Sequence, residues 1–278
     1  MSPRRLRLDA ELVRRSMARS REHASRLIAE GRVSVNGRQA TKPATAVGTD
    51  ADLVVRADPR DTTEYASRGG HKLAGALEVF GARGLSVRGR RCLDAGASTG
   101  GFTDVLLRAG AAEVVAVDVG YGQLAWPLRN DPRVEVHDRT NIRSLTLEQI
   151  GLPVDVVVGD LSFISLRLVL DALIGVTDPE GDLALMVKPQ FEVGKDRLGK
   201  GGVVRDPGLR AEAVTSVAEA ADDRGWGARA VTTSPLPGPS GNVEFFLWLR
   251  RGPSRVTSAD ILAEAATAAG VPDERLDR

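Results

Sequence analysis

Lys188 closes the apolar run Asp-Leu-Ala-Leu-Met-Val-Lys in a chain that uses 33 arginines and only five lysines. Arginine keeps its proton at working pH, whereas a buried lysine can lose it, so a lysine retained in such a segment is a candidate for proton transfer. The plainer alternative is a stem packed on the core with its head in water. A second constellation reads Asp94-Ala-Gly96-Ala-Ser98-Thr-Gly100-Gly101-Phe102. Its glycines let backbone approach a ligand closely, and a helix starting after Gly101 favours a carboxylate at its N-terminus. Asp118 follows 24 residues after Asp94 and suits the two hydroxyls of a ribose. The spacing is not Gly-x-Gly-x-x-Gly, so an adenosine with an amino-acid tail, S-adenosylmethionine, fits better than a nicotinamide dinucleotide. An ordinary glycine-rich turn between strand and helix remains the alternative. Gly194–Gly201 nearly matches a P-loop, but Gly201 stands where magnesium needs a Ser or Thr hydroxyl. It reads instead as a flexible loop that, placed just after Lys188, could cover a nucleic-acid substrate with Lys195 and Lys200.

These residues need elements to hold them. From Arg68 the chain alternates a helix (Arg68–Phe80) with Val/Leu-rich runs at Arg91–Ala95, Glu113–Asp118, Val134–His137, Val154–Asp160 and Asp182–Lys188. Helical stretches such as Gly101–Ala109 and Leu166–Ile174 separate them. Such alternation predicts an α/β fold with a parallel sheet, whose ligands bind at the carboxyl ends of the strands. Two more strands are expected at Ala228–Thr232 and Val243–Arg250. The N-terminal part differs: two short helices, Asp9–Met17 and Ser20–Glu30, with Ser20 as N-cap and Gly31 just past the end, then a strand into an Asn36-Gly37 hairpin and a strand at Leu53–Val55. Ala24, Leu27 and Ile28 form an apolar stripe, and Arg19 and Arg26 share another face. The expected organisation is residues 1–60, a linker at 61–67, a main domain at 68–250 and a tail at 251–278 that could dock as a helix or fray.

Composition narrows the function classes. The 278 residues are 42% hydrophobic and 27% charged, which suits packed domains rather than disorder. One cysteine and three histidines argue against disulfides and a His/Cys metal centre, so no metal is expected. No secretory segment or run long enough to span a membrane is visible, which points to a cytoplasmic protein, expected as a monomer. Near-neutrality conceals an asymmetry. Residues 1–60 carry 13 Arg/Lys against 7 Asp/Glu, a net of +6, and the remainder carries −5. A basic arm on an acidic body suggests a polyanion partner.

The stretch RLDAELVRRSMARSREHASRLIAEGRVSVNG, with Lys42-Pro43 and DLVV, resembles the S4 RNA-binding domain. That resemblance implies that Arg4, Arg7, Arg15, Arg19, Arg21 and Arg26 grip RNA backbone and shape. DAGASTGGFTDVLL, DVGYGQLAW, GDLSFISL, VKPQFEVG and SPLPGPSGNVEFF together resemble the TlyA (hemolysin A) family, in which an S4 domain precedes a Rossmann-like, FtsJ-like methyltransferase domain. The resemblance implies S-adenosylmethionine-dependent 2′-O-methylation of ribosomal RNA, with cytidines of 16S and 23S rRNA expected as targets. It also implies a Lys-Asp-Lys-Glu tetrad at Lys72, Asp160, Lys188 and Glu244, and cofactor contacts at Asp94, Gly96, Ser98, Gly100, Gly101, Phe102, Asp118 and Asp160. Lys188 is the expected general base. Burial, Lys72 and the cofactor's sulfonium favour its neutral amine, the carboxylates favour the ammonium, and the balance is open at this stage. Asn141 stands near where relatives often place an Asp against adenine, a departure from the family's pattern. Phe102, Tyr121 and Phe163 could line the pocket or pack, Trp126 and Trp226 read as packing, and His71 has no evident partner. The competing classes are a non-catalytic RNA-binding factor and a membrane-active hemolysin.

Overall fold

The computed structural model describes residues 5–15, 17–18, 21–48, 51–55, 65–238 and 241–268. Arg4, Arg19, Ser20 and the last residues of the expected tail lie outside them. The chain divides into two compact units at Glu64/Tyr65.

The first unit holds β1 (Arg5–Arg7), α1 (Leu8–Arg14), α2 (Arg21–Ala29), β2 (Val33–Val35), β3 (Arg38–Gln39), β4 (Ala46–Gly48) and β5 (Leu53–Val55). Helix α1 stops earlier than expected because the N–H groups of Met17 and Ala18 both turn back to the Leu12 carbonyl, which buries Ala18. Helix α2 ends as the sequence predicts. Gly31 takes φ +70°, its N–H reaches the Ile28 carbonyl, and Arg32 N–H reaches Leu27, a Schellman closure. Asn36 and Gly37 both have positive φ and join β2 to β3 in a two-residue hairpin. Strands β1 and β4 pair with each other and were not expected, since three residues are too few to show a strand pattern. The core is Leu8, Leu12, Ala24, Leu27, Ile28, Val33, Val47 and Leu53.

The second unit begins with α3 (Gly69–Gly81), then β6 (Arg91–Ala95), α4 (Gly101–Arg108), β7 (Glu113–Val117), α5 (Trp126–Arg129), β8 (Val134–His137), α6 (Leu147–Ile150) and β9 (Val154–Gly159). It continues with α7 (Leu170–Gly175), β10 (Thr177–Val187), α8 (Pro189–Glu192), α9 (Pro207–Asp222), β11 (Trp226–Thr233), β12 (Phe245–Arg251) and α10 (Ser258–Thr267). One sheet has the order β11-β12-β10-β9-β6-β7-β8. Strands β8, β7, β6, β9 and β10 run parallel, and β12 is antiparallel to both its neighbours. Period-2 alternation sends Leu93, Val157 and Leu185 into one apolar layer and Cys92, Val156 and Met186 into the other. The chain leaves β6 towards β7 on one side and returns to β9 on the other. That reversal opens a crevice at the carboxyl ends of β6 and β9.

Several boundaries shift for physical reasons. Strand β10 starts at Thr177, ahead of the expected Asp182, through an irregular Asp-Pro-Glu-Gly stretch. There Gly181 is required because a Cβ would lie 2.9 Å from the carbonyls of Asp155 and Asp178. The expected helix Leu166–Ile174 is a 3₁₀ turn at Leu166–Leu168 followed by α7. Tyr65–Ser67, expected in the linker, pack into the second unit: Ala66 N–H donates to Asp104, and Tyr65 lies edge-on to His71 and under Arg108. In the expected tail, α10 docks on the sheet layer through Ile261, Ala265 and Ala268. Thr257 closes a capping box with Asp260, and Glu264 accepts the Thr233 N–H. Among the described residues no helix is long and apolar enough to cross a membrane.

Candidate active site

The turn after β6 is built around backbone that only glycine adopts freely. Gly96 and Gly100 have φ +85° and +96°, and Ser98 also takes positive φ. A Cβ on Gly96 would meet the Asp160 carbonyl at 3.0 Å, so this glycine lets the ends of β6 and β9 close on each other. A Cβ on Gly101 would reach the Gly70 nitrogen at 2.9 Å, so its absence brings the start of α4 against the start of α3. Asp118, at the end of β7, braces the turn. One oxygen accepts the Ser98 N–H at 2.8 Å and the other the Gly120 N–H at 2.7 Å. Asp94 lies fully buried beneath, where Oδ2 accepts the Thr103 hydroxyl at 2.7 Å and Oδ1 has no partner. Burial pushes its carboxyl up to about 7 against the Thr103 hydrogen bond, and the Asp160 and Asp118 charges add to the rise.

A cavity of about 270 Å³ opens between this turn and the first turn of α3. Its walls include Ser67, Gly96, Gly101, Phe102, Asp160 and Lys188, with Lys72 and Ser162 beside them. The four expected tetrad residues converge as two ion pairs. Lys188, at the end of β10 and 7% exposed, places Nζ 2.5 Å from Asp160 Oδ1. That approach misses hydrogen-bond geometry, and the directed bond of the amine goes to Ser162 Oγ at 2.9 Å. Lys72, from α3, bonds Glu244 Oε2 at 2.5 Å, with both side chains buried. Gln190 Nε2 reaches the other Glu244 oxygen at 3.4 Å. Gly238 in the preceding loop leaves room for this carboxylate, since a Cβ there would lie 2.5 Å from Glu244 Oε1.

Sequence reasoning missed two supports. Glu192, at the end of α8, is buried and accepts the Ser165 hydroxyl at 2.5 Å and the Leu166 N–H at 2.7 Å. It ties the segment after Lys188 to the segment after Asp160. Ser162, adjacent to the tetrad, carried no signal beyond its place in Gly-Asp-Leu-Ser. Phe163 has φ +63° and is 92% exposed, with Phe191 5.3 Å away, so it stands out from the rim rather than packing. Tyr121 is also exposed, with the Arg139 guanidinium over its ring. Phe102 reaches the cavity wall but is mainly core, against Phe246. Asn141 caps a 3₁₀ turn by accepting the Arg143 N–H. Trp226 is buried and Trp126 exposed.

The expected RNA-gripping arginines divide by role. Arg7 and Arg21 both reach the buried Asp9, and Arg14 and Arg15 both reach the buried Glu11. Those guanidinium contacts hold both carboxyls down at about 2. Arg15 also donates to the Ala51 carbonyl. Arg7, Arg21 and Arg26 remain exposed towards solvent, as does Lys200 in the loop after α8. Lys195 belongs to a 3₁₀ turn in that loop.

Comparison with known proteins is consistent with this geometry. The family described as FtsJ-like methyltransferase matches residues 65–251, and the S4 domain matches residues 6–53. The chain is 60% identical over 262 residues to the 16S/23S rRNA (cytidine-2′-O)-methyltransferase TlyA of Mycobacterium tuberculosis, spanning 94% of this chain and 96% of that protein. Hemolysin A of Brachyspira hyodysenteriae is 36% identical over 242 residues, 86% of this chain and 98% of that one. A solved structure from Streptococcus thermophilus, described as a candidate hemolysin, superposes with a TM-score of 0.74 at 35% identity, covering 95% of each chain.

Proposed function

This chain belongs to the TlyA family of FtsJ-like methyltransferases, and from that premise we propose that it methylates the 2′-hydroxyl of cytidines in 16S and 23S ribosomal RNA with S-adenosylmethionine. The dual target follows the relative that is 60% identical and bears that activity in its name. The observation that carries the chemistry is the Lys188–Asp160 pair at 2.5 Å on the wall of the cavity that the glycine turn also lines.

The residues present fit the cofactor. Gly96 and Gly101 let the strand and helix ends close around the cavity they line, and the Asp118 carboxylate spends one acceptor site per oxygen on its braces, leaving capacity for ribose hydroxyls. Bound S-adenosylmethionine supplies an electrophilic methyl group. Gly96, Ser98, Gly100 and Gly101 shape its tail site, Asp118 takes the ribose, and Asp94 supports the turn from below. A ribose 2′-hydroxyl is a weak nucleophile until its proton is drawn off. Lys188 Nζ accepts that proton once its own ammonium proton has passed to solvent, and Asp160 holds the ammonium that re-forms. Ser162 holds the amine's direction. Lys72, neutralised by Glu244, keeps a fixed cation beside the site without a net charge. The remaining rate comes from alignment of the hydroxyl. The first unit supplies RNA affinity through its exposed arginines, and the protein works in the cytoplasm as a monomer.

Unmodified 16S and 23S rRNA incubated with the protein and S-adenosylmethionine should acquire 2′-O-methyl marks at cytidines, read by mapping of ribose methylation. Absence of marks on both RNAs, with the cofactor bound, would leave an RNA-binding protein without catalysis. Marks on 23S alone would remove the dual target.

A further inference from the structure

The antiparallel strand β12 begins beside Val187 at the catalytic rim and ends beside Asp182, so Arg250 and Arg251 stand at the opposite end of the sheet, about 20 Å from Lys188 by strand rise. A second cavity, of about 480 Å³, opens there. Five arginines line it, namely Arg83, Arg229, Arg250, Arg251 and Arg255, against one carboxylate, Glu180. The carboxylate nearest beneath them, Asp182, is buried and already shared by Trp248 Nε1 at 2.8 Å, Arg90 at 2.8 Å and Arg250 at 3.9 Å. Glu180 is largely exposed and 3.8 Å from Arg250.

Arg229 is held in place by main chain. Nη2 donates to the Arg251 carbonyl at 2.7 Å and Nη1 to Pro253 at 3.2 Å, while the buried Nε has no partner. Desolvation and the nearby charges of Arg255 and Arg250 weaken its hold on its proton. Arg83, Arg251 and Arg255 are exposed and form no ion pair with any described residue. Five like charges around one cavity repel each other unless an anion enters, and the guanidinium fork matches phosphate oxygens. We infer that this arginine-lined cavity is a second phosphate-binding site, which takes backbone phosphates of the RNA substrate at the end of the sheet remote from the methyl-transfer cleft. The inference rests on the ribosomal RNA substrate proposed above. An open cleft with several exposed guanidiniums suits consecutive phosphodiesters better than one enclosed small anion.

The test uses the full chain and the triple variant Arg83→Gln/Arg251→Gln/Arg255→Gln, which spares the structural contacts of Arg229 and Arg250. Binding of 23S rRNA is measured across a salt series, with S-adenosylmethionine affinity and thermal unfolding confirming an intact fold. Each lost phosphate contact flattens the plot of log affinity against log salt by about 0.7–0.9, so the triple variant should flatten it by about 2–3. A slope and affinity equal to wild type would overturn the inference. So would inorganic pyrophosphate binding that the variant loses while its RNA slope stays unchanged, since the cavity would then hold a small anion. The binding slope is read without turnover. Failure of methyl transfer in the wild type would therefore overturn the proposed function, while the slope alone decides whether this cavity takes RNA phosphates.

Discussion

At the scale of single residues, two groups carry measurable consequences. Lys188→Arg keeps a cation of similar reach next to Asp160 but removes the amine that can be neutral. Single-turnover methyl transfer should fall by about 10²–10⁴, the usual worth of a positioned general base, with RNA and cofactor still bound. A rate within about threefold of wild type would make Lys188 a fixed cation. Asp94 yields a pH signature. Its folded value near 7 lies above the ~3.9 of an unfolded Asp, so the folded chain holds this proton more tightly. The stability it contributes is complete below about pH 4 and is lost as pH rises through about 7. Asp94→Asn, which keeps an acceptor for Thr103, escapes that loss. The melting-temperature gap between variant and wild type should therefore widen from pH 4 to 7 and level off above. A gap independent of pH would show that Asp94 does not titrate there. Lys188 and Asp118 were legible in the sequence because an apolar run and a strand end frame them. The split of the tetrad into two pairs was not, since Lys72 and Glu244 are 172 residues apart and no local pattern relates them. The exposed arginines of the first unit were legible only as charge, because nothing in Arg-Leu-Arg-Leu-Asp reveals that Arg7 also neutralises a buried Asp9.

At the scale of elements, Glu192 shows how a single side chain becomes a tie. Nothing in Pro-Gln-Phe-Glu marks it, yet the single-turn α8 turns it inward to hold Ser165 and Leu166. Glu192→Ala leaves the buried Leu166 N–H without an acceptor, at a cost of about 1–3 kcal/mol visible in thermal unfolding. Because the tie joins the segments that carry Lys188 and Asp160, methyl transfer should drop more than cofactor affinity does. Equal losses of both would mean that Glu192 only stabilises the fold. The central strands were readable from their Val/Leu-rich runs, with β6 and β8 matching the expectation to the residue. Strands β1 and β4 were not, because each contributes three residues and is defined by pairing alone. Helix α10 is ambiguous in the sequence because an Ala-rich stretch has a weak apolar stripe, and its docking depends on the groove that α9 and β11 offer.

At the scale of the whole molecule, the division at Glu64/Tyr65 separates a basic unit from one with its own two apolar layers. A chain lacking residues 1–64 should fold and bind S-adenosylmethionine with unchanged affinity. Its binding to rRNA should be weaker and less salt-dependent, because fewer phosphates are neutralised. Equal salt slopes for the two chains would take the first unit out of the RNA contact. The charge asymmetry was plain in the sequence. The second arginine cluster was hidden, because Arg83, Arg229 and Arg250–Arg255 meet only once the antiparallel strands β11 and β12 lie beside each other.

The place of β12 also sets a timetable. It comes after β11 in the chain yet sits between β10 and β11 in the sheet, and Glu244 immediately precedes it. At a synthesis rate of roughly 5–20 residues per second, Lys72 is made some 10–30 s before the carboxylate that will bury it. Throughout that interval β10 lacks its antiparallel neighbour and Lys72 its carboxylate partner. The Lys72–Glu244 pair therefore closes only when the last strand of the sheet is made, long after Lys188 and Asp160 are both in place to pair.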